Sequence, residues 1–329
     1  MTVLAETSPA KRVLVLGATG SIGRATVTVL LARGYEVVCL VRRASAAADA
    51  LPQGATLRFG TVTDPGSVAR DGIMGERFAA LVSCLASRTG TPRDAWAIDH
   101  KAHLDALAAA KQAAIGHIVL LSAICVQRPK LAFQHAKLAF EAALIASGLT
   151  YSIVRPTAYF KSLSGQVNRL RQGKPFLLFG DGTLTACKPI SDADLGRFLV
   201  RCLEDPSLHN RILPIGGPGP AITPRQQGEE LFRLLGLVPK FRQVPVGFLD
   251  GIIAGLALLG RAIPSLAHKA ELARIGRYYA TESMLVLNDK TGLYEADATP
   301  STGTERLFDH YARLLRGEIA DDRKDHAVF

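Results

Sequence analysis

Three glycines near the start of the chain have the spacing of a loop that binds a phosphate-containing cofactor. Gly17, Gly20 and Gly23 follow a short apolar run, residues 12–16. Between a strand and a helix, the first glycine permits a tight turn, the second lets the backbone approach a pyrophosphate, and the third lets the helix pack closely. The free N–H groups that begin the helix attract the phosphates. The spacing predicts a dinucleotide site, with further contacts from Thr19, Ser21 and Ile22.

Two arginines after the second predicted strand bear on which dinucleotide binds. An NAD site usually has Asp or Glu there, about 20 residues past the loop, to bind the ribose hydroxyls. This chain has Arg42 and Arg43 instead, and Arg24 on the first helical turn could assist them. A guanidinium can bind a 2′-phosphate with two hydrogen bonds, whereas a carboxylate would repel it. The pattern predicts NADPH; a purely solvated role stays open, more so for Arg43 than for Arg42.

Strands that alternate with helices must position these residues. The predicted strands are apolar throughout, which is typical of a parallel sheet covered on both faces. They cover residues 12–16, 35–41, 56–59, 78–84, 117–122, 150–154 and 212–215, and helices are expected over 22–33, from Asp64 onwards, over 93–114 and over 131–147. We therefore expect an α/β fold, a Rossmann-like doubly wound parallel sheet with a smaller C-terminal substrate lobe.

The expected domain limits follow composition. The NADPH-binding Rossmann domain is predicted over residues 11–215, with substrate-binding insertions around 159–190. Glycine and proline cluster beyond residue 215, so the substrate lobe is predicted over 216–317. Residues 1–10 and 318–329 are expected to be flexible ends.

Net charge and cysteine content narrow the kinds of partner and site that we expect for this protein. The net charge is +10, but the basic residues are scattered and aromatic residues make up only 6%, so nucleic acid is not expected as a partner. The five cysteines show no metal-ligand spacing, so neither a metal site nor disulfides are expected, and a reducing compartment is the default. Residues 1–10 have no signal-peptide core.

One apolar stretch, residues 244–264, allows two interpretations. Asp250 and Arg261 interrupt it, and its longest uninterrupted part is far shorter than the ~20 residues that a membrane span needs. A packed helix or surface lid is one interpretation. A peripheral contact with a membrane surface or a lipidic substrate is the other.

Several segments resemble the extended and atypical short-chain dehydrogenase/reductase superfamily. They are the Gly-x-x-Gly-x-x-Gly spacing, Ser122, the helix with Lys137, Arg155-Pro156 with Thr157, and residues 190–195. The resemblance implies that Lys137 holds the nicotinamide ribose or serves as an acid, and that Ser122 faces the nicotinamide. Pro156 and Thr157 are expected to contact the cofactor. The superfamily's usual proton donor is a Tyr four residues before the Lys, but this chain has Phe133, which excludes phenol chemistry at that position.

More specific segments resemble the NADPH-dependent 8-vinyl-reductases of chlorophyll and bacteriochlorophyll synthesis. They cover residues 84–88, 96–99, 121–127, 133–138, 151–162, 186–191 and 276–284. The resemblance implies reduction of the 8-vinyl group of a magnesium tetrapyrrole, divinyl chlorophyllide or protochlorophyllide, to ethyl. A vinyl group conjugated to a macrocycle lets the ring take up negative charge, so a fixed phenol is less necessary and Phe133 can be an apolar wall.

The proton donor and the substrate contacts stay open among several residues. We favour Lys137 as the donor, with Tyr159, Cys187 and water as alternatives. Expected substrate contacts also come from Phe133, Phe160 and Cys187, from Lys161, Lys188 and Arg277 toward a propionate, and from Tyr278 and Tyr279 by stacking. An ordinary core or surface role stays open for each of them.

Two other functions fit the same residues. One is another NADPH reductase of the isoflavone-reductase type, and the other is a non-catalytic NADPH sensor. The expected location is the bacterial cytoplasm, with a peripheral contact to the photosynthetic membrane left open.

Overall fold

A seven-stranded parallel sheet forms the centre of the molecule. The computed structural model describes residues 11–43, 50–261 and 263–320. The strand order is β3-β2-β1-β4-β5-β6-β8, and these strands are β1 (Arg12–Leu16), β2 (Glu36–Val41), β3 (Thr56–Phe59), β4 (Ala80–Ser83), β5 (His117–Leu121), β6 (Thr150–Pro156) and β8 (Arg211–Ile215). The order reverses between β1 and β4, where doubly wound sheets bind their ligands. The predicted fold class is confirmed.

The helices follow the strands as the sequence predicts. They are α1 (Ser21–Ala32), α2 (Pro92–Ala95), α3 (His103–Gln112), α4 (Ala132–Ile145), α5 (Phe160–Leu163), α6 (Val167–Arg171), α7 (Asp192–Glu204), α8 (Pro224–Leu235), α9 (Val246–Leu259), α10 (Pro264–Thr281) and α11 (Leu307–Leu315). Two π-helical segments, Val68–Ile73 and Trp96–Ala102, and two 3-10 turns, Ile124–Gln127 and Pro206–Leu208, complete the order.

Helices cover both faces of the sheet. On one face α1 and α7 bury Val27, Leu30 and Leu199 against strand residues such as Val15. On the other face α3 and α4 bury a second set of apolar side chains, including Leu107, Phe140 and Leu144. Each large apolar side chain buried in this way contributes about 1.5–3 kcal/mol relative to exposure. The two layers fix where α1 and α4 begin, and both helix starts lie at the carboxyl edge of the sheet.

Two sequence predictions about helices need correction. The helix expected to begin at Asp64 does not begin there, because Gly66 adopts a left-handed φ of 82° and turns the chain. The π-helical segment Val68–Ile73 starts only after Ser67. The helix expected over 93–114 has nearly that extent, but the π-helical segment Trp96–Ala102 interrupts it.

A smaller lobe combines two parts of the chain. Strands β7 (Phe176–Phe179) and β9 (Phe241–Val244) pair in parallel, and β10 (Val286–Leu287) pairs with β11 (Tyr294–Glu295). Phe160 and Phe176 share a buried cluster with Phe232 and Tyr311. The insertion after β6 and the chain beyond β8 thus pack together. The domain limit at residue 215 stays a prediction, and residues 1–10 and 321–329 lie outside the described residues.

Candidate active site

The glycine loop has the geometry that its spacing predicts. Gly17 adopts a φ of 76°, and a Cβ atom there would lie 2.6 Å from the carbonyl carbon of Cys84 at the end of β4. A Cβ atom on Gly23 would lie 2.8 Å from Cα of Ala18 and closer still to the carbonyl oxygen of Gly17. Side chains at these two positions would therefore push α1 away from β1 and β4.

The start of α1 fits a pyrophosphate. Gly20 is the N-cap residue, and no side chain caps the first turn of this helix in the described structure. A Cβ atom on Gly20 would come near only the carbonyl oxygen of Gly17, at 3.4 Å, so this side of the loop is open. The first-turn N–H groups and the helix dipole then favour an anion. The guanidinium of Arg24 donates to the carbonyl oxygen of Thr19 at 3.0 Å and so braces the loop.

Asp192 is a residue of this loop region that the sequence interpretation missed. It lies in the first turn of α7, which packs against α1, and its carboxylate hydrogen-bonds with Ser21. Burial raises the pKa of Asp192, while the positive charges of Lys161 and Arg24 act in the opposite direction. Lys161 is therefore near enough to Asp192 for its charge to act on this carboxylate. Only the packing of α7 on α1 could bring Asp192 here.

The two arginines that follow β2 are exposed, close to the end of β3. The Arg43 guanidinium stacks over the Phe59 ring, 5.0 Å from its centroid. Neither Arg42 nor Arg43 forms an ion pair with a carboxylate within the described ranges, whereas nearby Arg70 pairs with Asp71. Arg42 and Arg43 therefore offer positive charge at the end of β2, where the sequence predicts the 2′-phosphate.

Lys137 is buried and paired with a second buried residue. Its Nζ lies 3.0 Å from Oδ1 of Asp99, and the two residues are 8% and 1% exposed. His103 lies beside this pair, and its Nε2 hydrogen-bonds with the Ser83 hydroxyl at 2.8 Å. Burial, followed by the Lys137 charge, lowers the pKa of His103 to about 4, so this ring is neutral near pH 7. The sequence interpretation quoted the segment that contains Asp99 but gave Asp99 no role.

Ser122 directly follows β5, and its hydroxyl has a buried hydrogen-bond partner. Its hydroxyl donates to Oε1 of the buried Glu141 at 2.5 Å, and Arg155 pairs with the same carboxylate. A hydroxyl whose proton is directed to Glu141 can still accept a hydrogen bond but cannot also donate one to a ligand. The catalytic role of Ser122 stays a prediction, with this geometry favouring a part in holding Glu141.

Tyr159 belongs to a half-buried aromatic group near the end of β5. It packs against the core that includes Cys84, and Cys125 lies near it. Burial raises the pKa of the Tyr159 phenol, which makes it a weaker acid than a solvated tyrosine. The Tyr279 hydroxyl lies 3.9 Å from Sγ of Cys125, and Tyr279 is 37% exposed. Tyr279 is thus much more exposed than its neighbour Tyr278, which is 3% exposed.

The predicted apolar and stacking residues fall into different places. Phe133 is half-buried and packs against the buried cluster that includes Ile275 of α10, with Gly90 beside it. Tyr278 is buried, and its hydroxyl donates to the carbonyl oxygen of Cys125 at 2.8 Å. Stacking of Tyr278 on a substrate would require this packed side chain to leave its cluster. Phe160 is 3% exposed, within the core of the smaller lobe.

Three predicted site residues, Cys187, Lys188 and Thr157, have partners inside the protein. Burial raises the pKa of Cys187 to about 12, and its thiol points to the carbonyl oxygen of Ile222. Nζ of Lys188 donates to the carbonyl oxygen of Thr299 at 2.9 Å. Thr157 in turn donates its hydroxyl to the carbonyl oxygen of Lys188. These contacts tie the strand ends to the smaller lobe, so substrate contact by Cys187 or Lys188 stays a prediction.

Arg277, a predicted contact for a substrate propionate, already has a carboxylate partner in the protein. Its guanidinium pairs with Asp250 and so joins α10 to α9. Both residues lie partly in solvent, at 36% and 50% side-chain exposure, so the pair contributes about 0–1 kcal/mol. A propionate would have to compete with this carboxylate for Arg277.

Comparison with known proteins agrees with the fold and the glycine loop. A family model described as NAD(P)H-binding matches residues 17–206. The NADPH-dependent quinone oxidoreductase QOR2 of Escherichia coli, solved with NADPH, has the same fold, with a TM-score of 0.67 at 20% identity over 92% of this chain and 99% of that chain. The sheet, the loop and the family match define an NAD(P)H-binding oxidoreductase with a Rossmann fold, and the predicted NADPH cofactor is confirmed.

Plant proteins named divinyl chlorophyllide a 8-vinyl-reductase are similar over nearly the whole chain. The protein from Oryza sativa subsp. indica is 48% identical over 323 residues, which cover 94% of this chain and 79% of that protein. The protein from Arabidopsis thaliana is 46% identical over 333 residues, 96% of this chain and 80% of that protein. The chain belongs to the divinyl chlorophyllide a 8-vinyl-reductase family, which confirms the resemblance drawn from its segments.

The same relatives correct one expectation. The predicted bacterial cytoplasmic location is wrong, because these relatives are plant proteins described as chloroplastic. The sequence interpretation took the lack of targeting character in residues 1–10 as evidence on location, and those ten residues lie outside the described structure.

Proposed function

We propose that this chain uses NADPH to reduce the 8-vinyl group of a magnesium tetrapyrrole, divinyl chlorophyllide or protochlorophyllide, to an ethyl group. The observation that carries the proposal is the sequence shared with the plant reductases over at least 94% of this chain. A site without a tyrosine four residues before Lys137 also favours reduction of a carbon–carbon double bond over reduction of a carbonyl group.

The chemistry divides between substrate, cofactor and protein. NADPH, when bound, supplies a hydride to the terminal vinyl carbon. The macrocycle then spreads the negative charge, so the protein need not stabilise one oxyanion. The remaining requirement is one proton at the vinyl carbon that is attached to the ring. The protein must orient the macrocycle, exclude water and deliver this proton.

Lys137 is the proposed source of that proton. Lys137 forms an ion pair with a buried carboxylate, in a region where burial makes the phenol of Tyr159 a poor acid by raising its pKa. Phe133 lies one helical turn before Lys137, on the same face of α4, and can provide the apolar wall for the macrocycle. Lys137 can also hold the nicotinamide ribose, so its loss would affect both cofactor binding and turnover.

Product analysis tests the proposed function. Purified protein, NADPH and divinyl chlorophyllide should yield the monovinyl product, detected by chromatography and by the shift of the Soret band. Lys137→Met should lower kcat by about 100-fold or more, and Tyr159→Phe by less than about threefold. Absence of monovinyl product with the unmodified protein would refute the function. Equal losses in the two variants would remove Lys137 as the preferred donor.

A contact with a lipid surface is the second part of the proposal. In α9 none of the residues is buried, and Phe248, Ile252 and Leu259 form one exposed stripe at helical spacing. Exposed basic residues flank this apolar helix at Lys240, Arg242, Arg261 and Lys269. Apolar side chains between basic groups favour the interface of a membrane that contains anionic lipids. No helix in the described ranges is long and apolar enough to cross a membrane.

Vesicle sedimentation tests the lipid contact. The protein should sediment with vesicles of phosphatidylcholine mixed with phosphatidylglycerol, and less with phosphatidylcholine alone. Replacing Phe248 and Leu259 together by Ser should abolish the binding. Leu293→Ser is the matched control, because Leu293 is also exposed, at 65%, but lies between β10 and β11. Binding that survives the double replacement, or no binding at all, would rule out this contact.

A further inference from the structure

Asp99 occupies an unusual position in the backbone. It lies within the π-helical segment Trp96–Ala102, between the regular helices α2 and α3. A π turn fits an extra residue into a helix and is most often found at functional sites. This segment packs against α4, the helix that carries Lys137. The irregular turn thus brings a carboxylate toward α4.

The Asp99 carboxylate is buried, and its two oxygens differ in their hydrogen bonds. Oδ1 accepts the Lys137 ammonium at 3.0 Å and the backbone N–H of Ser87 at 3.3 Å. Oδ2 is buried and has no hydrogen-bond partner within the described part of the chain. A buried carboxylate oxygen without a donor is costly, so a purely structural pair would be expected to satisfy it.

Two other titratable groups lie near Lys137 on neighbouring elements. His103 of α3 is neutral near pH 7, because burial lowers its pKa to about 4. Cys125, in the 3-10 turn after β5, is buried, and its thiol keeps its proton because burial raises its pKa. On α4 itself, Glu141 lies one helical turn after Lys137, and its carboxylate is already held by Ser122 and Arg155. Asp99 is the carboxylate with which the Lys137 ammonium forms its ion pair.

We propose that Asp99 is a positioning residue for proton delivery: it fixes the Lys137 ammonium, in the second turn of α4, and stabilises its charge, with Oδ2 left to accept a hydrogen bond from a donor in the active site. This inference rests on the proposed function, in which Lys137 gives one proton to the substrate carbanion and becomes a neutral amine. One proton from solvent then restores the ammonium, so the cycle balances without another reactant.

The test replaces the charge and keeps the shape. Asp99→Asn should lower kcat by about 10- to 100-fold and move the alkaline fall of kcat to lower pH, because a neutral amide stabilises the ammonium less than a carboxylate does. The Kd for NADPH should change by less than about threefold. Asp94→Asn is the matched control, because Asp94 accepts from Thr89 in the neighbouring loop and does not contact Lys137. Its pH profile should be unchanged.

A spectroscopic measurement tests the effect of Asp99 on the Lys137 ammonium independently of turnover. The side-chain Nζ signal of Lys137 can be assigned in ¹⁵N-lysine-labelled protein by its loss in Lys137→Met. In the unmodified protein it should stay protonated to higher pH than in Asp99→Asn. An unmoved kcat profile together with an unmoved Nζ titration would overturn the proposal. If Asp99→Asn does not fold, a Lys137 that is already neutral at pH 8 in the unmodified protein would also overturn it.

The two hypotheses fail in different ways. If the unmodified protein makes no monovinyl product, the proposed function fails, and the Nζ titration still reports on the Asp99–Lys137 pair. If product forms but Asp99→Asn changes only the melting temperature, the positioning role fails and the reductase function stands.

Discussion

A methyl group on Gly23 would collide with the carbonyl oxygen of Gly17, and it would lie 2.8 Å from Cα of Ala18. The first and third glycines of the loop thus depend on one another. Gly17 turns the chain in the left-handed region, and Gly23 lets the next helix return against that turn. The position of the α1 N-terminus, where the pyrophosphate is expected, follows from this pair.

Gly23→Ala should displace the start of α1 and weaken NADPH binding by roughly 5- to 150-fold, the equivalent of about 1–3 kcal/mol of overpacking. Fluorescence titration with NADPH measures the change. Gly116→Ala is the matched control, because nothing lies within 4 Å of its Cβ position. Normal NADPH affinity in Gly23→Ala would show that the loop can relax without cost.

Arg42→Ala should weaken NADPH by about 10- to 100-fold and leave NADH nearly unchanged, since only NADPH has the 2′-phosphate that a charged hydrogen bond would hold. Arg43→Ala should have a smaller effect, because Arg43 also stacks on Phe59. Arg33→Ala is a control, with Arg33 exposed and paired with Glu204. Equal losses of affinity for both dinucleotides would show that Arg42 does not bind the 2′-phosphate.

Ser122→Ala should separate a structural from a catalytic role. The hydroxyl donates to Glu141, which Arg155 also holds, so its loss should cost about 1–2 kcal/mol of unfolding free energy. If that is its whole role, kcat should stay within about threefold of the unmodified value. Urea denaturation and steady-state kinetics measure the two quantities. A kcat loss of about 100-fold at normal stability would restore Ser122 to the catalytic group.

Stability should fall as the pH falls from about 6.5 to 4. Burial lowers the pKa of both His103 and His117 to about 4, whereas the unfolded chain titrates near 6.5. The unfolded state therefore binds more protons in this window, and each histidine should destabilise the fold by about 2–3 kcal/mol by pH 4. His117→Gln keeps a donor toward Ser152 but removes one titration. Its urea midpoint should depend less steeply on pH, and an unchanged slope would contradict the assignment.

Local sequence patterns determined the dinucleotide fold. Apolar runs of strand length, Gly17-x-x-Gly20-x-x-Gly23 between the first run and a helix, and the arginines after the second strand were sufficient for the sheet, the loop and the cofactor. These features depend on residues close in sequence, because backbone conformation at a turn and the burial of a strand are set mostly locally. The start expected at Asp64 was wrong where one left-handed glycine, Gly66, changed the path of the chain.

Residue types also suggested partners that the structure assigns elsewhere. Arg277 pairs with Asp250, and Tyr278 donates to the carbonyl oxygen of Cys125. An arginine or tyrosine has the same appearance in a sequence whether it faces a ligand, a carboxylate or a backbone carbonyl. Which partner it meets depends on how α10 lies over the sheet edge and over α9.

The glycine loop and the family resemblance were therefore available from the sequence by itself, because each lies in short segments whose residues act together locally. Only the tertiary structure decided that Asp99 meets Lys137, that Glu141 accepts a hydrogen bond from Ser122, and that Asp192 reaches Ser21. Each of these pairs joins residues at least 19 positions apart, and the shortest separation is that of Ser122 and Glu141. Their contact depends on the packing of helices on the sheet, which no local pattern of residue types specifies.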